Sequence, residues 1–108
     1  MTAAQYLLVR SQFSAFHQLQ SDEVWSHLEG GPALIHTISP DEGHRTLILG
    51  NPLLHPGASY MQAVPRGIMF AVELSPECEE VYGLFGLCVA PGFSFDSFFM
   101  PSREALIA

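Results

Sequence analysis

The chain reads as an all-β domain, a sandwich or barrel of short strands. Three observations predict this. Apolar and alternating runs of strand length recur along the 108 residues, most of them closed by glycine or proline. No segment carries a long amphipathic helical pattern; Met1 to Gln20 has some helical spacing, but the alternation around Phe13 and Phe16 favours strands. Eight Phe, three Tyr and one Trp suit a β-rich core or a lined cavity.

In order, Ala3–Val9 is a short apolar run that reads as a buried strand. Gln12–Leu19 is a second, with Phe13, Ala15, His17 and Leu19 on one face. Glu23–Leu28 is a third, with Glu23, Trp25 and His27 sharing a face, ended by the turn Gly30-Gly31-Pro32. Ala33–Ile38 and Arg45–Leu49 are the fourth and fifth, separated by Ser39-Pro40-Asp41-Glu42-Gly43. A proline-bearing loop, Pro52–Ser59, follows. Tyr60–Val64 and Ile68–Leu74 are joined by Pro65-Arg66-Gly67, a tight hairpin turn. Val81–Ala90 is a long apolar strand whose glycines, Gly83 and Gly86, mark a bend or a close backbone approach. Phe93–Met100 alternates Phe with polar residues, and Pro101–Ala108 is a short helix or a frayed tail. No linker or repeat divides the chain, so residues 1–108 form one domain.

Composition excludes several functions. Apolar residues make up 48% and charged residues 14%, which rules out a disordered chain and suggests that some surface is buried in an oligomer. The net charge is −7 and all four basic residues are Arg. No basic footprint exists for nucleic acid, nor for an anionic membrane. No apolar stretch approaches the roughly 18 residues of a transmembrane helix, and no secretory signal is visible, so the expected location is cytoplasmic. Cys78 and Cys88 are accordingly expected as reduced thiols. Cys88, inside an apolar run, reads as a buried inert one.

The chemistry concentrates in Phe16–Gly31, FHQLQSDEVWSHLEGG. A hairpin over Gln20-Ser21-Asp22 would bring His17 and Glu23 together. Such a pair serves as metal ligands, as a proton-transfer dyad, or as a satisfied polar pair at a barrel mouth. His36, His44 and His55 have no partners at ligand spacing and read as surface residues. No serine elbow and no phosphate-binding glycine loop is present.

Three segments, FSAFHQLQSDEVWSHLEGGP, QAVPRG and VAPGFSFDSF, occur in this order. Together the chain resembles the cupin five family of the cupin superfamily, over about Thr2 to Phe99. The resemblance implies a cupin-type double-stranded β-helix, a jelly-roll barrel of sugar-epimerase type, usually dimeric, with an interior pocket. Of the first cupin motif, His17, Glu23 and Gly30 match, but Leu19 stands for the second histidine. Of the second, Pro65 and Gly67 match, but Phe70 stands for its histidine. Two of four usual metal ligands are thus apolar, so no metal and no cofactor is expected. Relatives tend to carry an aromatic residue at Met69 and a histidine at Ser26. They also carry residues before the segment matching Thr2. The expected barrel is therefore short or incomplete at its N-terminus: a minimal form, one completed by a dimer partner, or a shortened product. An open strand edge would then invite a homodimer.

The resulting expectation is a small-molecule-binding cupin of carbohydrate-isomerase or epimerase type. His17 is the base or ligand-binding group and Glu23 its orienting carboxylate. Trp25, His27, Gln62, Met69 and Phe70 line the pocket. A metal-dependent oxygenase using His17, Glu23 and His27, and a non-catalytic oligomerisation or binding module, are the alternatives.

Overall fold

The computed structural model describes residues 1–10 and 16–91, together with the backbone of 98–99. Every regular element among them is a strand: β1 (Thr2–Val9), β2 (Gln18–Leu19), β3 (Asp22–Gly30), β4 (Ala33–Ser39), β5 (Gly43–Leu49), β6 (Met61–Val64), β7 (Met69–Leu74), β8 (Tyr82–Ala90) and β9 (Phe98–Phe99). Of the expected second strand Gln12–Leu19, the described residues show β2 and a bridge from His17 to Phe70, and the part before Phe16 lies outside the described residues. So do the tail Pro101–Ala108 and most of Phe93–Met100. No helix is long and apolar enough to cross a membrane among the described residues, which says nothing of membrane β-barrels.

Two antiparallel sheets face each other. One has the order β1-β8-β3-β6, the other β5-β4-β7. The ribbon β2–β9 continues the second sheet, because His17 and Phe70 exchange both backbone hydrogen bonds at 2.9 Å. This is the jelly-roll arrangement expected from the resemblance. Each strand alternates an inward set with an outward one. From β4 come Ala33 and Ile35, from β7 Phe70, Val72 and Leu74, from β8 Phe85, and from β3 Trp25. With Leu8, Leu49 and Val64 they form one core. Burying such aliphatic and aromatic side chains is worth roughly 1.5–3 kcal/mol each, and it is what joins the sheets.

Two glycines let the chain fold this tightly. Gly30 has φ +80°, and a Cβ there would run into the Tyr82 carbonyl oxygen. A Cβ on Gly83 would lie 2.7 Å from the Gly31 carbonyl oxygen and from the Phe85 ring. Gly83 is thus a close approach, one of the two roles expected of it. The turn Pro65-Arg66-Gly67 is also as expected: Gly67 has φ +80° and its N–H donates to the Leu19 carbonyl at 2.8 Å.

Cys88 is not buried, contrary to expectation. Both cysteines are free, but Cys78 is the buried one and Cys88 is exposed. Alternation explains it: Phe85 and Val89 of β8 point inward, so Cys88 points out.

Candidate functional site

The site is built first by β3 and the residue before it. Ser21, Glu23 and Trp25 alternate onto the inner face, each only 2% exposed. Trp25 packs edge-on against Tyr6, with ring centroids 5.3 Å apart. Yet Ser21 Oγ, Glu23 Oε2 and Trp25 Nε1 are buried without a hydrogen-bond partner in the protein. A buried polar atom left unpaired costs about 1–3 kcal/mol, so three on one strand face form a concentrated demand for a ligand or ordered water. Burial pushes the Glu23 carboxyl up to about 7. The neighbouring Trp25 indole acts in the opposite direction but does not cancel it. Glu23 is therefore an acid that can hold or release its proton near neutrality.

The other wall is a row across the second sheet. Phe70 is paired with His17 on one side and Thr37 on the other, and Thr37 is paired with Arg45. Directly paired residues share a face, so His17, Phe70, Thr37 and Arg45 all lie on the inner side. The His17 ring lies tilted against the Phe70 ring, centroids 4.2 Å apart. Gln62, opposite Trp25 on β3, donates its side-chain N–H to the Ile48 carbonyl at 3.0 Å and so links the two sheets. Beside it an open cavity of about 440 Å³ is lined by Thr37, Arg45 and Leu47 from one sheet and Gln62 and Ala63 from the other. Arg45, ion-paired with Glu42, supplies a cation at its mouth.

Glu23, Trp25, Gln62, Phe70 and His17 thus lie on inner faces, and of these Gln62 lines the cavity. Glu23 Oε2 has no hydrogen-bond partner among the described residues, and burial is the largest cause of the raised pKa. Met69 does not join them. It is adjacent to Phe70 on β7 and faces the opposite side, paired with Ile38. His27 sits at the β3 irregularity, where the register shifts before Glu29. Its Nε2–H donates to the Gly30 carbonyl at 2.9 Å, and its ring packs on Phe85. It braces the strand end. Ser21, Thr37 and Arg45 are inner-face residues that sequence reasoning missed. Strand alternation could have found Ser21, but Thr37 and Arg45 needed the cross-strand register.

The metal common in cupins does not fit this interior. Leu19 and Phe70, at the positions of two motif histidines, are buried at 5% and 1% exposure. Among the described residues no three His, Cys, Asp or Glu side chains converge as a ligand group. His36 and His44, expected as isolated surface residues, are instead joined to one another on the outer face of the second sheet.

The comparisons with known proteins agree with this architecture. A family model described as Cupin superfamily (DUF985) matches residues 1–101. The chain belongs to that family. A protein from Shewanella oneidensis, solved by a structural-genomics consortium, is 34% identical with a TM-score of 0.86; the match covers 97% of this chain and 64% of that one. The chain therefore spans just under two thirds of that relative. A dTDP sugar isomerase from Desulfovibrio desulfuricans superposes with a TM-score of 0.77 at 11% identity, covering 97% of this chain and 66% of that one. An epimerase of dTDP-6-deoxy-D-glucose from Legionella pneumophila, in complex with dTDP-4-keto-L-rhamnose, has a TM-score of 0.70 at 14% identity, covering 95% and 54%. At such identities these two show the shared fold alone. No curated protein matches the chain.

Proposed function

We propose that the protein binds a polar, carbohydrate-like small molecule between its two sheets and moves a proton on it, as a sugar isomerase or epimerase does. The observation that carries this reading is Glu23: buried, titrating near 7, and with a carboxylate oxygen lacking any protein partner. A carboxyl with that pKa is matched to proton abstraction next to a carbonyl, the step that inverts or isomerises a keto sugar. The Trp25 and Ser21 polar atoms would meet ligand hydroxyls, and Phe70 with His17 would form a stacking wall. Arg45 would hold an anionic group at the mouth. Proteins of the same fold include a dTDP sugar isomerase and an epimerase bound to a dTDP-sugar, which makes sugar nucleotides the first ligands to test.

The test is a thermal-shift and calorimetric screen of dTDP- and UDP-sugars. Hits are then followed by NMR for uptake of solvent deuterium at the carbon beside the keto group. Binding and exchange in the wild type, with exchange lost in Glu23→Gln, support the reading. Affinity unchanged by His17→Ala would remove His17 from the site, and no hit at millimolar sugar nucleotide would sink the ligand class. Binding without exchange would favour a passive binding module, the reading to which the apolar Leu19 and Phe70 positions lean.

A homodimer acting in the cytoplasm completes the proposal. β1 is at a sheet edge, and Leu7, Leu28 and Met61 are exposed apolar residues on the same sheet. Two unpaired cysteines suit a reducing compartment. Light scattering that shows only monomer at micromolar concentration would defeat the dimer.

A further inference from the structure

The outer face of the β5-β4-β7 sheet carries a histidine pair that the interior site does not use. Ile35 and Thr37 point inward, so His36 points out. The β4–β5 register sets His36 opposite Thr46 and Ile38 opposite His44, which places His44 diagonal to His36 on that outer face. The two ring planes lie 27° from parallel with centroids 5.6 Å apart, and the rings meet edge to edge through their nitrogens. His36 Nδ1 lies 3.4 Å from His44 Nε2 and 3.3 Å from Thr46 Oγ1. On the far side of the ring, His36 Nε2 lies 2.6 Å from Glu73 Oε2 on β7.

As hydrogen bonds, the two contacts at Nδ1 are long. The 3.4 Å between the two ring nitrogens also matches the spacing of two ligands on one metal. Two imidazole nitrogens, each about 2.0–2.1 Å from a tetrahedral zinc ion, lie about 3.3–3.4 Å apart. Glu73 supplies the second element of such a site. A carboxylate accepting from Nε2–H fixes the tautomer in which Nδ1 keeps its lone pair, turned here toward His44. Metal-bound histidines commonly donate their other N–H to a carboxylate in this way.

We propose that His36 Nδ1 and His44 Nε2 form a cross-strand site for one divalent transition metal of the zinc and nickel class, with Glu73 as the positioning residue for His36. The two nitrogen donors select against magnesium and calcium, which prefer oxygen. Water fills the remaining positions, because the His36 and Glu73 side chains are 23% and 35% exposed and solvent reaches the pair. The site lies on the opposite side of the sheet from Phe70 and Thr37, so it is separate from the interior cavity.

The test uses untagged, chelator-stripped protein titrated with zinc chloride by calorimetry. It is paired with nitrogen-15 NMR of the five histidine rings. The expected result is saturable uptake of one zinc per chain, with coordination shifts at His36 Nδ1 and His44 Nε2 alone. His36→Gln and His44→Gln should each weaken uptake at least tenfold. Glu73→Gln should weaken it by about 10- to 100-fold while both rings still report the metal. All three side chains face solvent, and circular dichroism checks that each variant is folded. No saturable uptake at millimolar zinc would overturn the proposal. So would uptake that survives both histidine substitutions, or shifts confined to other histidine rings.

Discussion

Replacing Glu23 with Gln keeps the shape of the side chain and removes its titration. In the folded protein the carboxyl ionises near 7 against an ordinary value of 4.5, so folding favours its protonated form. A raised carboxyl pKa gives stability that is fully present below the unfolded value and is lost as pH rises through the folded one. A difference of about 2.5 pKa units corresponds to about 3 kcal/mol lost between pH 4.5 and pH 8. Glu23→Gln should show no such loss from this position. Relative to the variant, the wild type should weaken by about 3 kcal/mol across that window, with all other carboxylates common to both proteins. Urea unfolding at intervals from pH 4.5 to 8.5, followed by tryptophan fluorescence, measures this through the midpoint at constant slope. Parallel stability curves for the two proteins would refute the reasoning, because Glu23 would then be as solvated in the folded protein as in the unfolded one. A wild type that gains stability relative to Glu23→Gln as pH rises would refute it in the opposite sense, pointing to a partner for the carboxylate.

Other expectations follow from packing and backbone. Phe70→Ala should destabilise by about 3–5 kcal/mol in chemical denaturation, because a fully buried ring is lost between His17 and Thr37. Gly30→Ala should cost more than about 1 kcal/mol by the same assay, since its φ of +80° disfavours a Cβ and the Tyr82 carbonyl fills the space. Under native conditions Cys88 should react with a disulfide reagent and Cys78 should stay protected until urea unfolds the chain. Cys88 is exposed, whereas burial and then the Glu80 charge raise the Cys78 thiol pKa.

The parts of the site readable in the sequence were those that depend on local pattern. Alternation along β3 puts Glu23 and Trp25 on one face without any knowledge of their neighbours. The same rule, applied to β7, forbids Met69 and Phe70 from sharing a pocket, and Met69 belonged to the outer face for that reason. Thr37 and Arg45 were hidden because their place on the inner wall depends on the register of β4 against β5 and β7, which are set by contacts distant in sequence. The pairing of His36 with Glu73 and His44 was hidden for the same reason. Cys88 was misjudged because an apolar run in an antiparallel strand still exposes every second residue. The all-β sandwich or barrel was legible, since the turns at Gly30-Gly31-Pro32 and Pro65-Arg66-Gly67 stand where the chain reverses; the jelly-roll topology came from the resemblance alone.

The pairing of Thr2 with Val89, at the start of the β1–β8 ladder, bears on how the molecule comes into being. During synthesis β1 leaves the ribosome well before β8, its only described strand neighbour. The β4–β5 hairpin can close while it is still leaving the ribosome, but β1 waits for β8. Until then the apolar segment from Ala3 to Val9 is an unpaired edge in a crowded cell. The β4–β5 hairpin thus forms ahead of the β1–β8 ladder, so chaperone dependence should be greatest for changes in β8, which delay the moment when β1 is covered.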